Sequence, residues 1–326
     1  MTFHLSPEFE PAVRAAAAHF KQRDIFIEKD YWVTFVLKAL SQSEFRDKVI
    51  FKGGTSLSKA FNCIDRFSED IDLAILNTEG LSDNRLKKLI KEVEGKITGD
   101  LSYFEHPNEE KRGRNRRTFY SYQKVIFDDD GTSPVKSDIQ LEINCFTNPV
   151  PFEEKQLNSY LSQFLALRGE DQLIKEFQLD GFSMNVLRRE RTFFEKLMSL
   201  VRLSYEGPEK LREKIRHFYD LHELLQLDDL RGQLLIAENH EFITQVLNDD
   251  YVNSTFAGDW IEKPMAESPL LGNINEIWST LEETYQRELS RLVWSTEALP
   301  TTDQIVAMLK EISAFMEGYS FQSVDS

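Results

Sequence analysis

The chain has 326 residues, and its 39 Lys and Arg against 55 Asp and Glu give a formal net charge of −16. A protein this acidic does not bind nucleic acid through its average field, so contact with RNA or DNA would require local basic patches. No apolar run approaches the ~20 residues that span a bilayer, the N-terminal sequence is too charged for a signal peptide, and Cys63 and Cys145 lack metal-ligand spacing. We therefore expect a cytoplasmic protein with free thiols and no membrane association.

The N-terminal part begins with helices and enters a strand. Residues 1–48 are predicted to be helical, with a second helix at "IEKDYWVTFVLKAL" (27–40). "VIFK" (49–52) is predicted as a strand that leads into the glycine turn "GGTS" (53–56), after which "LSKAFN" (57–62) is predicted as helix.

Alternation and helical periodicity define the next two elements. "DIDLAIL" (70–76) alternates, which predicts a strand with Asp70 and Asp72 on one side. "SDNRLKKLIKEVEGKI" (82–97) has apolar residues at three- and four-residue steps, which predicts an amphipathic helix that Ser82 or Asp83 caps. Its predicted apolar face consists of Leu86, Leu89, Ile90, Val93 and Ile97.

A hairpin and a long helical region follow. Residues 118–127 and 135–146 are predicted strands joined by the polar loop "DDDGTSP". Pro149 and Pro151 are expected to end the second strand and to precede a linker or short helix, and from about Glu190 the sequence is helical. The expected fold class is α+β, a mixed sheet flanked by helices (domain 1–185) followed by a mostly α-helical domain (186–326).

Two features of the first half suggest phosphate and metal chemistry. Asp70 and Asp72, about 6.5–7 Å apart along a strand, can both offer oxygen to Mg²⁺, although a solvated strand edge has the same pattern. The glycines of "KGGTS" allow close backbone approach to an anion, although a strand-to-helix turn with a hydroxyl cap explains them equally well. The segment lacks the GxxxxGK[ST] pattern of a Walker A loop.

With these motifs, the chain resembles the AbiEii/AbiGii toxin family of nucleotidyltransferases. The resemblance is carried by "IEKDYWVTFVLKAL", "FKGGTSLSKAF" and "RFSEDIDLAI" (27–75), and later motifs extend it to about residue 225. The family belongs to the DNA polymerase β-like nucleotidyltransferase superfamily, and its members are toxins of type IV toxin–antitoxin and abortive-infection systems that act in phage defence. The resemblance implies a nucleotidyltransferase-fold sheet.

The resemblance also implies roles for particular residues. The glycine turn would bind the triphosphate, and the two aspartates would bind Mg²⁺, with Glu142 as a candidate third metal ligand and Asp138 as the second choice. Ser68 corresponds to a Ser or Thr that is modified when family toxins are silenced, although a polar turn residue is an equal alternative. The implied nucleotide-binding residues are Lys52, Gly53, Gly54, Thr55, Ser56 and Ser68.

The helical half contains two further family motifs. Lys196 in "RTFFEKL" matches the lysine motif, and helical geometry places it at the edge of the apolar stripe. A lysine turned inward needs an anionic partner, whereas one that snorkels past core residues does not. Asp220 matches the aspartate motif and would orient Lys196 or the substrate hydroxyl in a shared cleft, although the helical pattern alone predicts a surface residue paired with Arg216.

Five cations lie within seven positions of the run "KRGRNRR" (111–117), which is predicted as a loop before the hairpin. They could contact RNA or triphosphate phosphates, and a solvated loop that balances nearby acids is the alternative. The candidate RNA-binding residues are Lys111, Arg112, Arg114, Arg116 and Arg117.

Together these features predict a Mg²⁺-dependent enzyme that transfers a nucleotide from an NTP, such as GTP or CTP, to an RNA acceptor. The resemblance points to the 3′ end of tRNA, a block of translation, and an antitoxin that acts without stable binding. The predicted catalytic residues are Asp70, Asp72, Lys196 and Asp220. A kinase-like phosphotransferase on the same fold and a catalytically silent binding subunit are the alternatives.

Overall fold

The computed structural model describes residues 2–111, 113–127, 136, 138–253 and 256–321. The chain divides into two compact units, one of Met1–Phe61 and Phe67–Leu187, and one of Asn62–Arg66 and Arg188–Ser326. The short segment 62–66 therefore belongs with the helical unit, although it lies between the glycine turn and the paired aspartates in the sequence. No pattern in the sequence predicted that 62–66 would belong to the second unit.

The first unit is built around a mixed sheet that has seven strands in the part of the chain described above. The strands are β1 (Val49–Lys52), β2 (Ile71–Ile75), β3 (Ser102–Tyr103), β4 (Asn115–Ser121), β5 (Ile139–Asn144), β6 (Phe152–Leu157) and β7 (Phe182–Leu187). Their order in the sheet is β3-β4-β5-β2-β1-β7-β6. The β2–β5 and β1–β7 pairs are parallel and the other pairs are antiparallel. The predicted α+β class is confirmed.

Six α-helices accompany this sheet in the described residues of the unit. They are α1 (Phe9–Phe20), α2 (Asp24–Ser41), α3 (Gly53–Lys59), α4 (Asp83–Ile97), α5 (Tyr160–Leu167) and α6 (Asp171–Glu176). All five predicted apolar positions of α4 are buried, and they join one core with the apolar face of the sheet and with α2. The periodicity that predicted α4 is therefore confirmed, and its side chains cover one face of the sheet.

Three local predictions need correction. The glycine turn is itself the first turn of α3, which begins at Gly53 and ends at Lys59, instead of preceding a helix at 57–62. β4 extends from Asn115 to Ser121 and not over 118–127, so Arg116 and Arg117 lie in a strand and not in a loop, and the predicted hairpin loop 128–134 lies outside the described residues. The segment after Pro151 forms β6, not a linker or short helix, because it pairs with the unpredicted strand β7.

The second unit is helical in its described part. Its helices are α7 (Arg189–Ser204), α8 (Pro208–Arg212), α9 (Arg216–Gln226), α10 (His240–Val252), α11 (Pro269–Gly272), α12 (Ile274–Leu289) and α13 (Thr302–Met316). The segment 62–66 joins this unit through backbone contacts. Arg66 forms an isolated antiparallel β-bridge with Val293, and the amide of Trp294 donates to the carbonyl of Asp65.

Candidate active site

Asp72 and the glycine turn are in direct contact. Lys52 and Asp72 are register partners on the antiparallel strands β1 and β2, so the turn at Gly53 begins beside the aspartate. Gly53 has a φ of +81°, and a Cβ atom there would lie 2.1 Å from Oδ2 of Asp72. Only glycine permits this backbone conformation together with this approach. The fold thus brings together the two motifs that the sequence separates by some twenty residues.

The hydroxyl groups of the turn stabilise it internally. Ser56 Oγ donates to the carbonyl of Gly53 at 2.8 Å, and the Thr55 and Ser68 hydroxyls are 3.0 Å apart. Thr55 and Ser56 are both buried. The Thr55 contact ties the start of α3 to the segment that leads into β2, so Ser68 lies at the candidate site. Direct contact of these hydroxyls with a nucleotide stays a prediction.

A row of four charged residues crosses the sheet beside this turn. In register, Lys52 on β1 opposes Asp72 on β2, Asp72 opposes Glu142 on β5, and Glu142 opposes Arg117 on β4. Directly opposed residues project from the same face of a sheet, so the two carboxylates stand side by side between two cations. Arg117 Nε donates to Glu142 Oε2 at 2.8 Å. We call Lys52, Asp72, Glu142 and Arg117 the charged row.

Asp70 lies just outside β2, and its half-buried carboxylate is 3.3 Å from Nζ of Lys136. Asp138 likewise precedes β5, whereas Glu142 lies within that strand and opposes Asp72. The register thus favours Glu142 over Asp138 as the neighbour of Asp72. Metal binding by Asp70, Asp72 and Glu142 stays a prediction.

The chemistry of the charged row suits a divalent cation. Asp72 and Glu142 occupy neighbouring strands, which are about 4.8 Å apart, and like charges in that position destabilise a sheet unless a cation compensates them. Lys52 and Arg117 supply positive charge at the two ends of the row, and Mg²⁺ prefers oxygen ligands of this kind, a few carboxylates supplemented by substrate phosphates. No cluster of three or more His, Cys, Asp or Glu side chains within metal-binding distance occurs in the part of the chain that the structure describes. The two carboxylates of the charged row are oxygen donors of the kind that Mg²⁺ accepts, and binding of the metal stays a prediction.

Three consecutive charged residues in the second turn of α2 are buried, and no individual role was predicted for them. Glu28, Lys29 and Asp30 are each bound to a different segment of the first unit. Glu28 accepts from the amides of Val125 and Ile126, and Asp30 binds Nζ of Lys59 and the amide of Tyr160. The sequence did contain a signal for the burial of these charges, in the segment around "IEKDYW". A helix that is apolar on nearly all sides is buried, and charged residues within it then need partners.

Lys29 contacts the segments that precede strands β2 and β5. Its Nζ is 3.4 Å from Oε2 of Glu69, the residue before Asp70, and it donates to the backbone carbonyls of Lys136 and Asp138. Burial lowers the pKa of Lys29 and raises the pKa of Glu69, while their mutual attraction opposes both shifts.

In the helical unit, Asp220 binds two cations. Arg66 donates to both of its carboxylate oxygens at 2.6 and 2.7 Å, and Lys196 Nζ lies 2.9 Å from Oδ2. All three side chains are buried. Burial alone would raise the pKa of Asp220, but Arg66 and Lys196 outweigh it and the pKa is lowered. We call these residues the Arg66 cluster.

The helical pattern was wrong in placing Asp220 at the surface with Arg216, because Arg66 comes from a segment some 150 residues earlier, which helical periodicity does not register. Lys196 is buried beside a carboxylate, so its anionic partner in the chain is Asp220. Both oxygens of Asp220 are engaged by cations, and a role for this residue in orienting Lys196 stays a prediction. A shared cleft for Lys196, Asp220 and the aspartates of the first unit stays a prediction.

The basic run is largely paired within the chain. Arg114 binds Asp83, Lys111 binds Glu109, and Arg116 binds Glu94 of α4, while Arg117 belongs to the charged row. Arg112 lies outside the described residues. Arg116 and Arg117 point to opposite faces of β4 because strand side chains alternate. RNA binding by this run stays a prediction, and among its described members Lys111 and Arg114 are exposed, with 36% and 42% of their side chains accessible.

Comparison with known proteins assigns the chain to a family. The model of the nucleotidyl transferase AbiEii toxin family, type IV toxin–antitoxin system, matches residues 36–308. The chain belongs to the AbiEii family. It is accordingly a nucleotidyltransferase toxin of a type IV toxin–antitoxin system, with an NTP substrate and a cognate antitoxin.

Comparison with solved structures supports the fold through one of the two similar structures described here. The nucleotidyltransferase toxin MenT4 from Mycobacterium tuberculosis H37Rv aligns with 18% identity and a TM-score of 0.59, over 94% of this chain and 90% of that one. A putative nucleotidyltransferase from H. pylori aligns with 13% identity over 82% and 97% of the two chains, with a TM-score of 0.32 that is too low to indicate a common fold. No curated protein matches the chain. Among the described residues, no helix has both the length and the apolar character needed to cross a bilayer.

Proposed function

We propose that this AbiEii nucleotidyltransferase transfers a nucleotidyl group from an NTP to the 3′ end of an RNA, with tRNA as the acceptor, and thereby blocks translation. The acceptor hydroxyl oxygen would form a bond to the α-phosphorus, the bond from that phosphorus to the bridging oxygen would break, and pyrophosphate would leave as the hydroxyl proton is lost. The main support for the proposal is the contact between Gly53 and Asp72, which places a glycine turn suited to phosphate binding next to a carboxylate.

The residues of the first unit divide this work by their chemistry. Gly53 and Gly54 would bring backbone amides close to the phosphate chain, and Lys52 would add positive charge at the start of α3. Thr55 and Ser56 would keep the turn in shape through their bonds to Ser68 and Gly53. The side chain of Ser68 borders the turn, so a bulky or charged group added to it would alter the nucleotide site.

Three carboxylates would hold Mg²⁺ together with the substrate phosphates, namely Asp70, Asp72 and Glu142. When bound, the metal supplies Lewis-acid polarisation of the phosphates and lowers the pKa of the attacking hydroxyl. Arg117 would orient Glu142 through its charge-assisted hydrogen bond. Asp220 would orient Lys196 as a source of positive charge for the leaving phosphates.

Labelled nucleotides test the reaction. Purified protein is incubated with Mg²⁺, total tRNA and each NTP labelled with ³²P at either the α- or the γ-phosphate. We expect α-label in the tRNA fraction for one preferred NTP, with GTP and CTP as the first two to examine, and sequencing of RNA 3′ ends to show the added nucleotide.

Matched aspartate variants complete this experiment. Asp72→Asn should lower labelling by at least about 100-fold, because it removes a carboxylate from the metal site. Asp171→Asn, which changes an exposed residue of α6, should label as the wild type does. Transfer of γ-label instead of α-label, or full activity of a folded Asp72→Asn protein, would refute the proposal, and labelling of an RNA other than tRNA would refute the choice of acceptor.

A further inference from the structure

A single buried lysine ties together the starts of the two strands that carry Asp72 and Glu142. Lys29 of α2 has no exposed surface, and it reaches Glu69 immediately before β2 and the carbonyls of Lys136 and Asp138 just before β5. β2 and β5 are parallel neighbours, so their starts lie at the same end of the sheet. Lys29 thus contacts both segments that enter the charged row.

Glu69 also connects the segment before β2 to the segment before β5. Its Oε1 accepts from the backbone amide of Lys136 at 3.2 Å, and the side chain of the same lysine lies 3.3 Å from Asp70. Glu69 is 3% exposed, so its contacts are shielded from solvent. The peptide that carries Asp70 is therefore held at the residue before it, and its carboxylate is reached from the segment that Lys29 and Glu69 fix.

Stability alone does not explain a pair of this kind. Apolar residues of similar volume often replace a buried ion pair with no loss of stability, or with a gain. Apolar side chains cannot, however, bind two carbonyl oxygens and a backbone amide at once. What the Lys29–Glu69 pair adds beyond packing is a fixed position for the backbone on both sides of it.

We propose that Lys29 and Glu69 are positioning residues, which hold the peptide before β2 so that Asp70 is fixed relative to Asp72 and Glu142. The inference rests on the proposed function in one respect, that Asp70 is a metal ligand. Residues that orient metal ligands typically change metal affinity or activity by about 10–100-fold when they are mutated.

The first measurement needs neither metal nor substrate. Hydrogen–deuterium exchange of the full-length Lys29→Met protein should be at least about tenfold faster than wild type in peptides covering 67–75 and 138–144, with α4 unchanged. Glu94→Gln is the matched control, since it weakens another buried ion pair of the same unit, on the face of the sheet that α4 covers. That variant should leave exchange at 67–75 unchanged, and equal acceleration there in both proteins would refute a specific role for Lys29.

The second measurement concerns the metal. The Mg²⁺ concentration for half-maximal nucleotidyl transfer should rise about 10–100-fold in Lys29→Met, as should the Mn²⁺ concentration needed to bind an α,β-methylene analogue of the preferred NTP. If the wild type showed no dependence on divalent ions, the proposed function would fail, while the exchange data would still decide whether Lys29 fixes the peptide.

A double variant separates positioning from stability. Lys29→Met combined with Glu69→Leu removes both charges, so it should recover stability lost in Lys29→Met, where Glu69 is left buried and unpaired. We expect its metal dependence to stay as weak as that of Lys29→Met. Recovery of wild-type metal dependence together with stability would show that the pair contributes packing only, and would overturn the inference.

Discussion

Gly53 meets two constraints at once, a positive φ and the close approach of a carboxylate. A left-handed conformation costs a residue with a side chain about 1–2 kcal/mol, and this cost is independent of its surroundings. The contact with Asp72 is a separate constraint, because a Cβ atom would overlap Oδ2 at 2.1 Å. The cost of the backbone conformation can be measured separately from the cost of the contact. The same unit contains another glycine, Gly80, that has a positive φ and no close contact at its Cβ position.

We expect Gly53→Ala to lower nucleotidyl transfer by about 100-fold, because it displaces Asp72 or the turn by a large part of an ångström. Gly80→Ala is the matched control, since Gly80 has a φ of +61° and a Cβ added there would meet no atom within 4 Å. The control should lose about 1 kcal/mol of unfolding free energy and keep its rate. Urea denaturation and the α-label assay measure both quantities, and equal rates in the two variants would contradict the close contact.

At the scale of elements, local sequence patterns predicted the helices and strands whose formation depends on residues close together in the chain. β1 was predicted at 49–52, where it occurs, and α4 within one residue of its bounds, because a short β-branched run and a regular apolar face suffice to identify them. β6 was missed because "FEEKQL" is charged, as edge strands often are, and its partner β7 lies some thirty residues further along.

Ion pairs between distant segments could not be predicted either, because sequence patterns report on residues that lie close together in the chain. The Lys29–Glu69 pair spans 40 residues and the Arg66–Asp220 pair spans 154, and neither has a periodic signature. The contact between the glycine turn and Asp72 was anticipated as a shared site, whereas the charged row depends on sheet order. Glu142 could be proposed from its face of the strand, but its position opposite Asp72 required the register.

The Arg66 cluster should contribute strongly to the stability of the helical unit. In Arg66→Met, Asp220 keeps Lys196 but loses its bidentate partner in a buried site, so we expect a loss of about 3–5 kcal/mol. Arg287→Met is the control, because that arginine forms an exposed pair with Glu288 and should change stability by less than about 0.5 kcal/mol. Urea unfolding at neutral pH measures both variants, and a loss below about 1 kcal/mol for Arg66→Met would refute a tight cluster.

At the scale of the whole molecule, net charge opposes the proposed acceptor. With a formal charge of −16, the protein repels RNA at long range, and favourable contacts must come from particular cations that are accessible at the surface. The described part of the basic run separates into two kinds of arginine. Arg114 and its partner Asp83 are both exposed, whereas Arg116 is mostly covered and binds the buried Glu94.

This difference gives two arginine variants with opposite expectations. Arg114→Gln should weaken tRNA binding and lower the slope of log affinity against log salt by about 0.7–0.9, the value of one lost phosphate contact. Arg116→Gln should leave that slope unchanged and lower stability instead, because Glu94 then keeps only its neutral donors, Thr118 and Tyr120. Fluorescence anisotropy with labelled tRNA at salt concentrations from about 50 to 200 mM measures the slope. An unchanged slope for Arg114→Gln would exclude it as a phosphate contact, and equal slope changes in both variants would show that the run acts through its total charge and not through one exposed side chain.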